Sequence, residues 1–271
     1  MVCTAILDLD DDYLRRLVLA GFQAHPNWTV EDLSTSELSE SETERHRSSG
    51  LLFWGEYERI DWDTVSAGAQ VASSYCIRKG LIRKAHLAFN TKKWAAKHPR
   101  GRLAAALPET WVLEVDDVDY IDEALYEVPE VRDMKEGEEV WIAKPSLTNQ
   151  ALSVCIFDRV DALRRALEAA PDLREWVLQR YVSNPLTVEG RKFHIRTYVL
   201  CIGAFTAYAY SDSLALLAQG MELGEAEDRV QQMQQDVMGI IGETMEAVSS
   251  ELSFFPLPNC FELFGFDLMT R

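Results

Sequence analysis

Nowhere does this chain hold an apolar run of the about 20 residues that a membrane-spanning helix needs. The longest nearly apolar stretch, Tyr198 to Tyr210, is too short to cross a bilayer. The N-terminus has neither a basic start nor an apolar run long enough for a signal peptide. Basic residues are also in deficit, with 27 lysines and arginines against 44 acidic residues and a net charge of −17. Such a charge repels polyanions at long range, which excludes a general nucleic-acid or anionic-membrane surface. It leaves room for a local basic cluster that holds phosphate. Cys3, Cys76, Cys155, Cys201 and Cys260 are scattered, with no Cys-x-x-Cys pair and no nearby histidine to complete a metal set. They read as reduced core thiols, and the chain as soluble and cytosolic.

What is present is an ordinary globular composition, 47% hydrophobic over 271 residues, enough for a sizeable core. Residues 2–9 suit a first strand, and Asp11–Phe22 a helix through Leu14, Leu17, Val18 and Phe22. The polar, serine-rich segment 34–50 reads as a loop. Six cations fall between Tyr75 and Trp94, either on a solvated helix face or facing an anion. Short strands are expected at 139–144, 154–157, 175–182 and 192–200, with 204–210 as a hairpin partner. Met221 to Leu252 carries apolar residues at steps of three and four, as a partner-helix seam or, preferably, a core helix. Strands and helices without regular βαβ alternation imply an α+β fold. The expected division is an N-terminal α/β lobe at 1–85, a central lobe at 86–180 and a C-terminal lobe at 181–271.

Lys144 ends a hydrophobic strand before Pro145, so its ammonium either points into a cleft, where a point charge suits phosphate, or is simply exposed. After Gly190 a strand would place Lys192, His194 and Arg196 on one face and Phe193, Ile195 and Thr197 on the other. If that face is covered its cations need an anion; the alternative is an ordinary exposed sheet face. Gln179 to Val182 offers a strand-to-loop edge whose backbone suits a flat base such as adenine. Glu262 and Asp267 lie in the apolar run Phe261–Met269, as Mg²⁺ ligands or as edge residues in solvent.

In this order Trp141-Ile-Ala-Lys-Pro-Ser146, Gln179-Arg-Tyr-Val182, Gly190-Arg-Lys-Phe-His-Ile-Arg196 and Phe261-Glu-Leu-Phe-Gly-Phe-Asp267 resemble motifs of the tubulin–tyrosine ligase-like family. Trp54–Trp62 and Ser74–Lys84 resemble its fungal, processing-body-associated branch. The resemblance implies an ATP-grasp fold and a ligase that joins a carboxylate to an amine through an acyl phosphate, with ATP and Mg²⁺ as cofactors. It assigns Lys144 and Lys192 to phosphate, Gln179, Arg180, Tyr181 and Val182 to the adenine hinge, and His194 to the nucleotide-facing strand. Lys192 and Arg196 become the catalytic cations, Asp267 a metal ligand, and Arg78-Lys79 a basic pair near the acceptor groove. The implied partner is the acidic tail of tubulin or of another protein, together with a processing-body protein. Several residues depart from the family pattern. Ser146–Ser153 has no glycine, His194 replaces an aspartate, Leu216-Leu217 replaces Arg-Phe, and the chain stops at Arg271 before a Glu-x-Asn. Weak ligation, or a scaffold acting by protein contact, is the expectation.

Overall fold

In a computed structural model, residues 2–35, 39–148, 153–188, 190–217 and 227–270 are described. From the N-terminus come β1 (Cys3–Asp8), α1 (Asp12–Gln23), β2 (Trp28–Asp32), α2 (Glu40–Arg47), β3 (Leu52–Gly55), α3 (Trp62–Ser66) and β4 (Val71–Ala72). Next are α4 (Lys79–Ile82), α5 (Lys84–Lys97), α6 (Arg102–Ala106), β5 (Thr110–Glu114), α7 (Ile121–Tyr126) and α8 (Pro129–Arg132). They are followed by β6 (Trp141–Pro145), β7 (Cys155–Phe157), α9 (Val160–Glu168), β8 (Glu175–Arg180) and β9 (Thr187–Val188). The chain continues through β10 (Arg191–Ile202), β11 (Thr206–Ala209), β12 (Leu214–Leu217), α10 (Glu227–Leu252) and β13 (Phe261–Leu268).

These elements form two compact units. One comprises residues 1–77, 198–210 and 252–265, and the other 78–197, 211–251 and 266–271. The first unit contains a parallel sheet in the order β2-β1-β3-β4. Its central strand β1 buries Ala5, Ile6, Leu7 and Asp8 in succession, as a parallel strand covered on both faces does. Asp11 caps α1 by accepting the Leu14 amide at 2.7 Å. Glu262 is buried here and accepts the Ser74 hydroxyl at 3.1 Å and the Tyr75 amide at 3.0 Å. It therefore anchors the fold instead of sitting at an edge in solvent.

The second unit is built on the antiparallel sheet β5-β8-β6-β7. One face of that sheet packs Trp141, Ala143, Trp176 and Leu178 against Ile121, Leu125, Leu163 and Leu167 from α7 and α9. Strand β10 pairs with β9, β11, β12 and β13. Its burial alternates as the pattern requires, with Phe193, Ile195 and Thr197 inward and His194 exposed.

Two expectations shift, and the preferred reading of a third segment holds. Segment 34–50 contains the helix α2, which begins where the Ser39 amide donates to Glu42 Oε2 at 3.0 Å, one of the two bonds of a capping box. The basic segment 75–94 is broken at Arg83, whose backbone is extended, so α4 and α5 are separate helices. In α10 the residues Val237, Ile241, Met245, Val248 and Leu252 are buried, so the apolar stripe serves the parent core and not a partner seam. Leu223 and Ala226, assigned to the same stripe, lie outside the described residues. Among the described residues no helix is long and apolar enough to cross a membrane, and none of the five cysteines is disulfide-bonded.

Candidate functional site

The site grows from the alternation of β6. Trp141, Ala143 and Pro145 point into the core, which turns Ile142 and Lys144 to the opposite face. Register with β8 sets Gln179 directly across from Ile142, so Gln179 is a diagonal neighbour of Lys144. The Lys144 ammonium donates to Gln179 Oε1 at 2.8 Å. Burial pulls its pKa below the ordinary lysine value, and the charge of Lys84 adds to the effect. Lys84 is itself pushed down by burial and donates to the carbonyls of Pro145 at 3.1 Å and Thr148 at 2.5 Å. Among the described residues neither ammonium has a carboxylate within 4.0 Å. Two cations partly withdrawn from water, with no carboxylate counter-ion among the described residues, form an anion-seeking centre.

Lys84 belongs to this centre, although the sequence reading singled out only its place in a basic run. The first turn of α5 also holds the segment after β6, through Lys84 N–H to the Ser146 carbonyl at 3.3 Å and Ala85 N–H to Ser146 Oγ at 3.1 Å. The glycine-free loop at 149–152 lies outside the described residues.

Where β8 ends, the Arg180 amide is taken by the Glu109 carbonyl at 2.8 Å and the Tyr181 amide by the Val140 carbonyl at 2.9 Å. Val182 follows at the rim of a hollow of about 340 Å³, lined also by Leu107, Pro108, Glu109, Ser183 and Asn184. The Arg180 guanidinium reaches Glu139 at 3.1 Å and Glu109 at 3.7 Å and lies 4.7 Å from the centre of the Trp141 ring. It is neutralised there. Lys192 donates to the Tyr181 hydroxyl at 2.7 Å. Lys144 and Lys192 thus contact side chains only two residues apart, whose Cα atoms are at most about 7 Å from each other.

Arg196 and Asp267 form an ion pair with two hydrogen bonds, and both side chains are partly exposed. His194 is exposed opposite Leu216 on β12. Arg78 and Lys79 open the short helix α4, with Arg78 half-buried and Lys79 exposed. Among the described residues no group of three or more His, Cys, Asp or Glu side chains can hold a metal. The donors that are present fit a polyphosphate. They do not fit a metal held by protein alone, because the single carboxylate assigned to it is engaged by Arg196.

Comparison with known proteins identifies the family and the fold. The profile of the tubulin-tyrosine ligase family matches residues 63–221. A probable tubulin–tyrosine ligase of Schizosaccharomyces pombe is 29% identical, over 80% of this chain and 72% of its own length. A second, PBY1 of Saccharomyces cerevisiae, is 25% identical over 81% of this chain but only 40% of its own length. Among solved structures, the C-terminal domain of K. lactis Pby1 superposes with a TM-score of 0.66 and 27% identity, covering 98% of this chain and 81% of that one. That protein is described as an ATP-grasp enzyme interacting with the mRNA decapping enzyme Dcp2. The fold is accordingly ATP-grasp, with a small N-terminal α/β lobe, and the chain belongs to the tubulin–tyrosine ligase family.

Proposed function

We propose that the Lys144 centre binds the triphosphate of ATP, and that the chain is a carboxylate–amine ligase whose ligation step is weakened. The observation that carries this reading is the pair of half-buried ammoniums, Lys144 and Lys84, with no carboxylate beside them among the described residues. Lys192, fixed by Tyr181, adds a third positive charge. The hollow at Val182 suits adenine. ATP supplies the phosphoryl group that activates the substrate carboxylate, and the cations offset charge on the phosphates. Arg78 and Lys79 would meet the acidic tail of the acceptor, from tubulin or another protein. Ligation is weakened because Asp267 is engaged by Arg196 and because His194 stands where the family pattern has an aspartate. The decapping partner described for the K. lactis neighbour supports a cytoplasmic role at processing bodies as part of this proposal.

A second reading, a scaffold that no longer uses nucleotide, is favoured by that described partnership alone. Calorimetry separates the two. Saturable ATP binding that Lys144→Ala abolishes supports the ligase reading, and no binding by the unaltered chain removes it. Ligation of a tubulin-tail peptide at the rate of active relatives would overturn the proposed weakening.

A further inference from the structure

An amide side chain has two ends of similar shape and opposite hydrogen-bonding character, so its orientation is set by its neighbours. Gln179 contacts Lys144 at one end and Thr110 at the other. Its Oε1 accepts from the Lys144 ammonium at 2.8 Å, and its Nε2 donates to Thr110 Oγ1 at 2.9 Å. Thr110 and Gln179 are directly paired across β5 and β8, so the contact follows from strand register. The Thr110 hydroxyl has a single proton, and it goes to the Pro108 carbonyl at 2.8 Å. What the oxygen has left toward Gln179 is lone-pair density, which accepts only the NH₂ end. A flipped amide would set its NH₂ against an ammonium, and its oxygen could be satisfied only if the hydroxyl proton left the Pro108 carbonyl.

We propose that Thr110 is a positioning residue, whose hydroxyl fixes the Gln179 amide so that its oxygen holds the Lys144 ammonium in place. The relay is directional, each group donating to the next from the Lys144 ammonium through the Gln179 amide and the Thr110 hydroxyl to the Pro108 carbonyl. Pro108 also lines the hollow beside Val182, so one chain of bonds links the edge of that hollow to the lysine proposed to hold phosphate. Depression of the Lys144 pKa by burial makes that acceptor matter more, because an ammonium poor in solvent has few alternatives. Thr110 touches no phosphate-facing atom itself. Its role in ATP binding rests on the nucleotide reading of the cleft.

The test uses Thr110→Val, which keeps the shape and removes the hydroxyl, and Thr110→Ser, which keeps the hydroxyl. In the unliganded protein, side-chain amide NMR should show slowly exchanging Gln179 NH₂ protons in the wild type and Thr110→Ser, and exchange-broadened ones in Thr110→Val. By calorimetry, Thr110→Val should weaken ATP about tenfold and shift the alkaline loss of affinity to lower pH, with Thr110→Ser near wild type. In a Gln179→Glu background, where both carboxylate oxygens accept, Thr110→Val should have little further effect. Unchanged Gln179 resonances in Thr110→Val, or equal damage from Thr110→Ser, overturns the proposal. If the wild-type chain binds no ATP, the nucleotide reading falls and the Gln179 resonances alone decide the role of Thr110.

Discussion

Arg196 grips Asp267 through two parallel bonds, Nε to Oδ1 at 2.8 Å and a terminal guanidinium nitrogen to Oδ2 at 2.5 Å. Both side chains keep more than a third of their exposure, so the pair contributes little to stability, up to about 1 kcal/mol. Under the proposed nucleotide reading it occupies a cation that a triphosphate would otherwise engage. Asp267→Asn should therefore raise ATP affinity a few-fold in EDTA, with a thermal midpoint within a few degrees of the parent. Calorimetry and thermal denaturation check both halves, and a large loss of affinity would contradict the assignment.

Lys144 poses the opposite balance. Its folded-state pKa lies below the ordinary value of 10.5 because burial disfavours the charged form. Between the two pKa values the unfolded chain binds more protons than the folded one. Lys144 therefore makes stability rise with pH through that window. ATP affinity should fall over the same window, since the neutral amine no longer attracts phosphate. Lys144→Met should stabilise the unliganded protein by about 0.5–2 kcal/mol and flatten the alkaline rise, while abolishing ATP binding. Urea titrations at several pH values, paired with calorimetry, read both effects.

In the first unit, Asp8 ends the central strand β1 and is almost fully buried between two guanidinium groups. Arg47 Nε lies 2.8 Å from Oδ2, and a terminal nitrogen of Arg59 lies 2.8 Å from Oδ1. Asp8→Asn leaves two arginines facing an uncharged amide. The expected cost is about 3–5 kcal/mol, as for other broken buried pairs, measured as a lower urea midpoint with an unchanged slope.

Two glycines should respond oppositely to alanine. A Cβ on Gly55 would lie 2.6 Å from the Asp8 carbonyl oxygen and 2.6 Å from the Phe53 ring, so Gly55→Ala must displace backbone. A loss of about 1–3 kcal/mol follows. Gly242 is exposed in α10 with nothing within 4 Å of a new Cβ. Gly242→Ala should stabilise by about 0.4–1 kcal/mol. Thermal denaturation of the two variants beside the parent gives the comparison directly.

Local pattern explains which parts were legible in the sequence. The faces of β10 follow from strict alternation, and the end of β6 from a proline after Lys144. The helix α2 was hidden because its composition is polar throughout, although Ser39-x-x-Glu42 carries the capping signal. For a different reason, sequence pattern does not mark Lys84 and Thr110 as residues of the proposed site. Each reaches the cleft through a partner far along the chain, Lys84 through Pro145 and Thr148, and Thr110 through Gln179. Cross-strand register decides such partnerships, and no window of a dozen residues contains it. The fork between Arg196 and Asp267 spans 71 positions and was equally invisible.

Strand β10 carries a consequence for how this sequence can change. Its first seven residues belong to one unit and its last five to the other, without a break in the alternation. Substitution at exposed His194 disturbs one side chain. Deletion of one residue between Lys192 and Arg196 shifts the strand on one side of the gap by a face, exchanging cations for core residues there, and the same deletion near Val199 falls in the other unit. This stretch should drift readily in residue identity, yet keep its length across descendants far more strictly than the loops on either side of it.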